Sequence, residues 1–241
     1  MSLLAPVSVL VYWAGRGLLR GSSRAAAFTS DPGALLVPLV NTAAAAVTAA
    51  AVAVIVVLPV AYLTVRHRGL TAAASNALVV AGFALPGLVV ALALASFTLH
   101  GPLVAGALYQ SLTLLVVAYT VHFGAQALRV TQVAVSAVPP RVGDAARMLG
   151  AGNVRRIFEV EIPLMLPGLG AGAGLVLLST MKELPATLLL APPGFTTLAT
   201  RIWTATEDAF WSDASIASLL LITLSGVLTW ALVIRRFDAL D

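Results

Sequence analysis

Long apolar runs separated by short polar segments set the pattern of this chain. The first run, Leu3 to Ala14, is short and is expected to form part of a membrane helix. It does not fit a signal peptide, in which basic residues precede the apolar core; here Arg16, Arg20 and Arg24 follow it. Gly21 to Gly33, rich in Ser, Gly, Ala and charge, predicts a loop. A second helix is expected from about Pro38 to Val65, stopping at Arg66, His67 and Arg68. A third covers about Ser75 to Thr98, with Pro86-Gly87 near its middle as a packing kink or a hinge. His100-Gly101-Pro102 turns the chain into a fourth helix over about Leu103 to Leu128. After a polar island the fifth runs from about Leu164 to Met181, where Lys182, Glu183 and Pro185 interrupt it and leave a short apolar remnant, Leu184 to Leu190. A loop from Pro192 through Glu207, Asp208 and Asp213 leads to the last helix, about Ala214 to Ile234, which ends at Arg235-Arg236.

Several of these runs exceed the roughly 20 residues a helix needs to cross about 30 Å of hydrocarbon. They are continuous rather than alternating with period two, which disfavours a transmembrane barrel. The expected fold is all-α: a polytopic bundle of five or six membrane helices. Residues 1–35 would form a partial N-terminal span and loop, and 36–236 the transmembrane domain.

Composition agrees. Of 241 residues, 60% are hydrophobic and 10% charged, against about 25% charged in soluble domains. The net charge of +4 first suggests nucleic acid, but arginines gathered on the cytoplasmic side explain it more simply, and no nucleic-acid partner is expected. The segments near 66–68, 129–156 and 235–236 carry most of the arginines, and chain parity puts all three on one side. That side is cytoplasmic by the positive-inside rule. Parity also puts Arg16, Arg20 and Arg24 outside, which conflicts with the rule. The absence of cysteine excludes disulfides, thiolate metal sites and cysteine nucleophiles.

The polar island, between Arg129 and Glu161, is the segment with the most chemistry. Pro139-Pro140 halts the preceding structure, and Asp144 sits where a helix could begin, favoured there by the helix dipole. A short helix with Ala145, Ala146, Met148 and Leu149 should follow, ended by Gly150 and Gly152. A second, amphipathic helix carries Val154, Ile157, Phe158 and Glu161, and Pro163 and Pro167 are expected to bend the chain back into the membrane. Small side chains at the tip let another surface approach the backbone, whereas an inert solvated loop has no need of this order of glycines, alanines and prolines.

The island resembles the signature loop of ABC importer permeases, Glu-Ala-Ala, three residues, Gly, nine residues, Ile-x-Leu-Pro. Asp144, Ala145, Ala146 and Gly150 fill its first part and Val160, Ile162 and Pro163 its second, with the spacing intact. Asp stands for Glu, Val for Ile and Ile for Leu. The resemblance implies a coupling helix within the loop 139–163 that docks on an ATPase subunit. It also implies a second permease module, an extracytoplasmic solute-binding protein, and residence in the bacterial inner membrane. ATP would be bound by the partner. The sequence agrees in having no Gly-x-x-x-x-Gly-Lys-Ser/Thr phosphate loop.

Met181-Lys182-Glu183-Leu184-Pro185 places a cation and a carboxylate at the far end of the fifth helix. A charge deep in hydrocarbon costs about 2.5–3.5 kcal/mol on insertion scales, so these groups should face protein or water. Lys182, Glu183 and Pro185 are candidates for the wall or gate of a translocation path; a helix end anchored at the outer interface is the competing reading. Adjacent residues point about 100° apart, so the two charges need not pair. The stretch MKELPATLLL, followed by PPGFTTLATRIW, is similar to the corresponding segment of iron(III) importer permeases, a branch similar in turn to thiamine and polyamine permeases. Members of that branch carry two modules in one longer chain. The single module here resembles the C-terminal one, so the second is expected on another polypeptide or in a longer chain of which this is a piece. The resemblance implies that ferric ion is held by the binding protein. This chain shows no cluster of hard ligands and is expected to hold neither metal nor cofactor.

Three further features complete the reading. Gly168, Gly170, Gly172 and Gly174 give overlapping Gly-x-x-x-Gly pairs for tight packing, within the bundle or across a dimer. The acidic group Glu207, Asp208 and Asp213 is a candidate contact for the binding protein or a solvated loop. His122, with Tyr119 nearby, is either a hydrogen-bonded structural histidine or a functional one; an intramembrane enzyme using it or Lys182 and Glu183 is the rival of another class.

Overall fold

The structure, a computed structural model, describes residues 4–20, 33–67, 69–101 and 106–231. Helix α1 spans Leu4–Arg20, α2 Gly33–Arg66, α3 Leu70–Ala84, α4 Gly87–His100 and α5 Leu112–Ala137. The short α6, Pro140–Met148, precedes a long helix α7, Asn153–Met181, whose segment Arg156–Glu161 is π-helical. Then come α8 (Pro185–Leu190), α9 (Leu198–Glu207) and α10 (Trp211–Thr229). Among the described residues α2, α5, α7 and α10 are long and apolar enough to cross a membrane one by one. The expected loop 21–33, with Arg24, lies outside the described residues apart from its last position, as do Arg68, Pro102 and Arg235-Arg236.

Helices α2, α5 and α7 form the centre of the bundle, with α10 against α7 and α1 against α10. Lipid tails are as apolar as leucine, so hydrophobicity alone does not draw membrane helices together; close approach of small residues does. Accordingly α2 buries a stripe of Ala45, Ala46, Ala49, Ala50, Ala53 and Ala61, while Val47, Ile55 and Val56 stay exposed. On α7, Gly168 faces Ala134 and Gly172 faces the Ala127 carbonyl, so part of the glycine face packs within the bundle, between antiparallel α5 and α7.

The ends of α2 and α5 are fastened together. Arg66 donates from Nη2 to the carbonyls of Val138 (2.7 Å) and Val135 (3.3 Å), so the two helices finish on the same face. The chain between them must therefore cross back, and α3 with α4 makes that return. It is not the kinked helix expected: the two halves are bent by 107°. Leu85 (φ −83°, ψ 136°) and Pro86 (φ −56°, ψ 140°) are both extended. The proline ring disfavours helical geometry in the residue before it and offers no N–H to the ladder.

Other boundaries also differ from expectation. Helix α5 starts at Leu112, where Ser111 Oγ accepts from Leu114 N–H, and passes Leu128 to Ala137. The polar residues beyond Leu128 are absorbed because Gln132 donates to Thr64 and Asn76 of neighbouring helices. Asp144 is not at a helix start; Pro140 takes the first position, where a missing N–H costs nothing. Val154 to Glu161 is no separate helix but the beginning of α7, and Pro163 and Pro167 lie inside it. At that point the ladder has already loosened, Ile162 N–H bonding to Ile157 O, which accommodates Pro163. The expected loop after Pro192 contains α9, capped by reciprocal bonds between Thr197 and Thr200. Asp213 is 6% exposed in the first turn of α10, so it is not part of a solvated acidic loop.

Candidate functional site

The island folds as a compact hairpin beneath the bundle. Helix α6 ends at Gly150, whose φ of 84° lies in the left-handed region. Gly150 N–H bonds to Arg147 O (2.9 Å) and Ala151 N–H to Ala146 O (3.0 Å), the pair of bonds that closes a helix through a glycine. Gly152, by contrast, has an extended backbone (φ −65°, ψ 166°) and needs no glycine. The turn leaves Met148 and Leu149 about nine-tenths exposed, with Val154 and Phe158 also largely outside. Asp144 pairs with Arg147 at 3.0 Å and Arg155 with Glu159 at 2.7 Å on the same solvent side. Exposed pairs of this kind add little stability. The tip is thus apolar, with one exposed ion pair on each of the two helices that carry it.

Of the signature residues, Asp144 and Ala145 are exposed, Ala146 is buried, and Gly150 makes the turn. Val160 and Ile162 are half-buried and Pro163 is exposed, so these three belong to the stem of α7 and not to the tip. The inner face of α6 rests on Gly143. A side-chain carbon there would lie 3.0 Å from Glu161 Oε1 and 3.4 Å from Arg156 Nη1. Arg156 and Glu161 form a buried ion pair, Nε to Oε1 at 3.3 Å, and Arg156 also donates to Tyr62 Oη of α2 at 3.4 Å. Sequence reasoning missed Gly143, Arg156 and Tyr62. A cation and a carboxylate five apart match no α-helical pairing, so no local signal pointed to them.

A second polar site lies toward the opposite end of the bundle. Lys182 ends α7 and is exposed, while Glu183 turns inward, so the adjacent charges part company. Glu183 Oε1 accepts from Ala186 N–H (3.2 Å) at the start of α8 and lies beside Gly87 at the start of α4. A carbon on Gly87 would stand 2.8 Å from that oxygen and 3.4 Å from His122 Nε2. The positive end of α4's backbone dipole thus faces a carboxylate. Pro185 opens α8, again at the first helical position. Next to Glu183, Thr187 donates to the Glu183 carbonyl (2.7 Å) and shares a 2.6 Å hydrogen bond with buried Tyr119. His122 stacks on Phe83 of α3 (centroids 6.3 Å apart), and its Nδ1 is buried without a hydrogen-bond partner. The histidine is therefore held by ring packing and not by the hydrogen bond expected of it. The structure brings His122, Tyr119 and Glu183 together at the break between α3 and α4, a convergence not visible in the sequence.

Outside this cluster Thr187 faces a cavity of about 650 Å³, whose wall also includes Arg201, Thr200, Phe195 and Asp208. Among the described residues no group of three or more His, Asp or Glu is placed to hold a metal ion.

A family model described as the binding-protein-dependent transport system inner membrane component matches residues 53–239. The chain belongs to this family. It is accordingly an inner-membrane transport permease and not an enzyme, which removes the intramembrane-enzyme reading of His122 and Glu183. The permease is 30% identical over 227 residues to the Fe(3+)-transport system permease protein FbpB 2 of Haemophilus influenzae, a match covering 94% of this chain and 43% of that protein. It thus spans less than half the length of that relative. It is 34% identical to the putative ABC transporter permease protein ORF1 of Streptomyces antibioticus, over 83% of this chain and 84% of that one. A shorter match, 31% over 36% of the chain and 33% of the relative, is to the putative 2-aminoethylphosphonate transport system permease protein PhnV of Salmonella typhimurium. In fold it resembles a chain of the inward-facing MetNI methionine ABC transporter, with a TM-score of 0.66 at 19% identity, over 86% of this chain and 96% of that one.

Proposed function

We propose that this permease is one transmembrane half of an ATP-driven importer that passes iron(III) released by an extracytoplasmic binding protein. The observation that carries the substrate is the match to the Haemophilus iron permease along 94% of the chain. ATP is bound and hydrolysed by partner ATPases, a second permease module completes the path, and residues 36–236 supply the transmembrane domain. Asp144, Ala145, Ala146 and Gly150 form the docking end of the coupling helix; Val160, Ile162 and Pro163 join it to the membrane. The exposed Met148 and Leu149 support this assignment, being apolar where only water would otherwise meet them.

At the other end Lys182, Glu183 and Pro185 form the gate. Discontinuous helices in the membrane leave backbone groups free only where they line a cavity or meet protein. Both the α3–α4 break and the α7–α8 interruption are of this kind, and Glu183 joins them. Movement of the docked ATPases tilts α7, and Glu183 follows two residues beyond its far end. The cation is a transient substrate here, handed from the binding protein through the path.

The test is uptake by the complete transporter in vesicles, with the permease, its ATPase, the second module and the binding protein present. ATP-dependent accumulation of iron(III) is expected. Accumulation of 2-aminoethylphosphonate, thiamine or a polyamine without iron would overturn the substrate. Iron flux independent of ATP would overturn the importer itself.

A further inference from the structure

The coupling helix rests on an ion pair at two positions that the signature leaves unspecified. Arg156 and Glu161 have side chains 10% and 5% exposed, too deep to touch a docked partner, so any role they have runs through α6. In an α-helix residues five apart point about 140° away from each other. In a π turn, with bonds from i to i+5, they come round to the same side of the helix. The π segment covers Arg156–Glu161, and this local change of period sets the two charges on one side, beneath Gly143.

We propose that Arg156 and Glu161 are positioning residues that seat the coupling helix on α2 and α7, the pair holding the π turn and with it the rotation of the cytoplasmic end of α7 relative to its membrane part. The proposal rests on the transport reading above. Three elements meet at the pair: α6 through Gly143, α2 through Tyr62 Oη, and α7 through its own backbone. A side-chain carbon at Gly143 would press on the carboxylate, so the pair and the backbone of α6 lie in close contact. Glu161 Oε2 and Arg156 Nε are both buried without a hydrogen-bond partner, so the two charges meet as an ion pair and not as a fully satisfied structural network. From this point α7 runs without interruption to Met181, two residues before Glu183. A push on α6 therefore reaches the far gate through one continuous helix.

Glu161→Gln breaks the pair with little change of shape. The double variant R156M/E161L removes both charges, a replacement that is often neutral or stabilising for a buried pair. Each is tested in the reconstituted transporter with its ATPase, second module and binding protein. Both are expected to insert and to co-purify with the ATPase. In both, amide exchange across 143–150 should quicken and substrate moved per ATP should fall about five- to tenfold. Wild-type exchange or wild-type coupling in R156M/E161L would overturn the proposal, whatever E161Q does, because a lone unpaired charge and not the pair would then account for any defect. Should E161Q fail to fold, the double variant decides alone. A wild-type transporter without binding-protein-stimulated ATPase activity would sink the transport reading instead, and the exchange measurement would still judge the seating.

Discussion

Gly87 lies directly against Glu183, and a side-chain carbon added there would stand only 2.8 Å from the carboxylate oxygen Oε1. The two residues belong to separate interrupted helices, and their contact joins the bend in one to the break in the other. An alanine at 87 must push Glu183 or the bend aside. Gly87→Ala is expected to cut uptake by about tenfold, equivalent to about 1.4 kcal/mol, while insertion and ATPase binding stay normal. Gly226→Ala, where an added carbon meets nothing within 4 Å, is the matching control and should transport as wild type. Uptake and complex yield measured on both variants check this.

Gly150 and Gly152 should behave oppositely although both stand in the same turn. An L-residue in the left-handed conformation of Gly150 costs roughly 1–2 kcal/mol. Gly150→Val, a branched side chain that this conformation suits least, should therefore loosen the tip and cut uptake sharply without affecting insertion. Gly152→Ala should leave both intact, since its backbone is extended and its surroundings are open. Pull-down of the ATPase, read together with uptake, separates the two; equal loss in both variants would contradict the role given to Gly150.

The packing of α7 on α5 turns on one glycine. A side chain at Gly168 collides with the Ala134 Cβ, and overpacking of this kind costs about 1–3 kcal/mol. Gly168→Ala should lower the resistance of the purified protein to denaturing detergent. Ala134→Gly in the same chain should restore much of it, a pairwise rescue that a double-mutant cycle measures directly.

Thr187 should matter more than Tyr119. Tyr119→Phe removes the shared 2.6 Å hydrogen bond, worth about 1 kcal/mol, and leaves the Thr187 hydroxyl still bonded to the Glu183 carbonyl. Thr187→Val removes both bonds and strands the buried Tyr119 hydroxyl. The larger loss of thermal stability is expected for Thr187→Val, measured on the detergent-solubilised transporter.

Much of this architecture was legible along the chain because it follows from local composition. The alanine and valine run of α2 and the apolar stretch of α7 are spans by length alone. Pro139-Pro140 marked the end of α5 and Gly150 the end of α6, since a missing N–H and a left-handed turn are properties of single residues, whereas the start of α6, expected near Asp144, lies at Pro140. The family signature was present in seven positions of one segment, and the family match covers residues 53–239.

Each segment's own covalent chemistry fixes which stretches are apolar enough to cross, where arginines gather, and where proline or glycine breaks a helix. The tertiary structure alone decided how those breaks are used. Pro86 opens the helix, but the size of the bend, 107°, is not written in the proline. The π period at Arg156–Glu161 lies where α6 and Tyr62 close over the pair, and Asp213, expected in a loop, is buried in the first turn of α10. Gly87, His122 and Glu183 meet across three distant segments. Such contacts are set by the shape and charge of surfaces far apart in the chain, and no local pattern of residues records them.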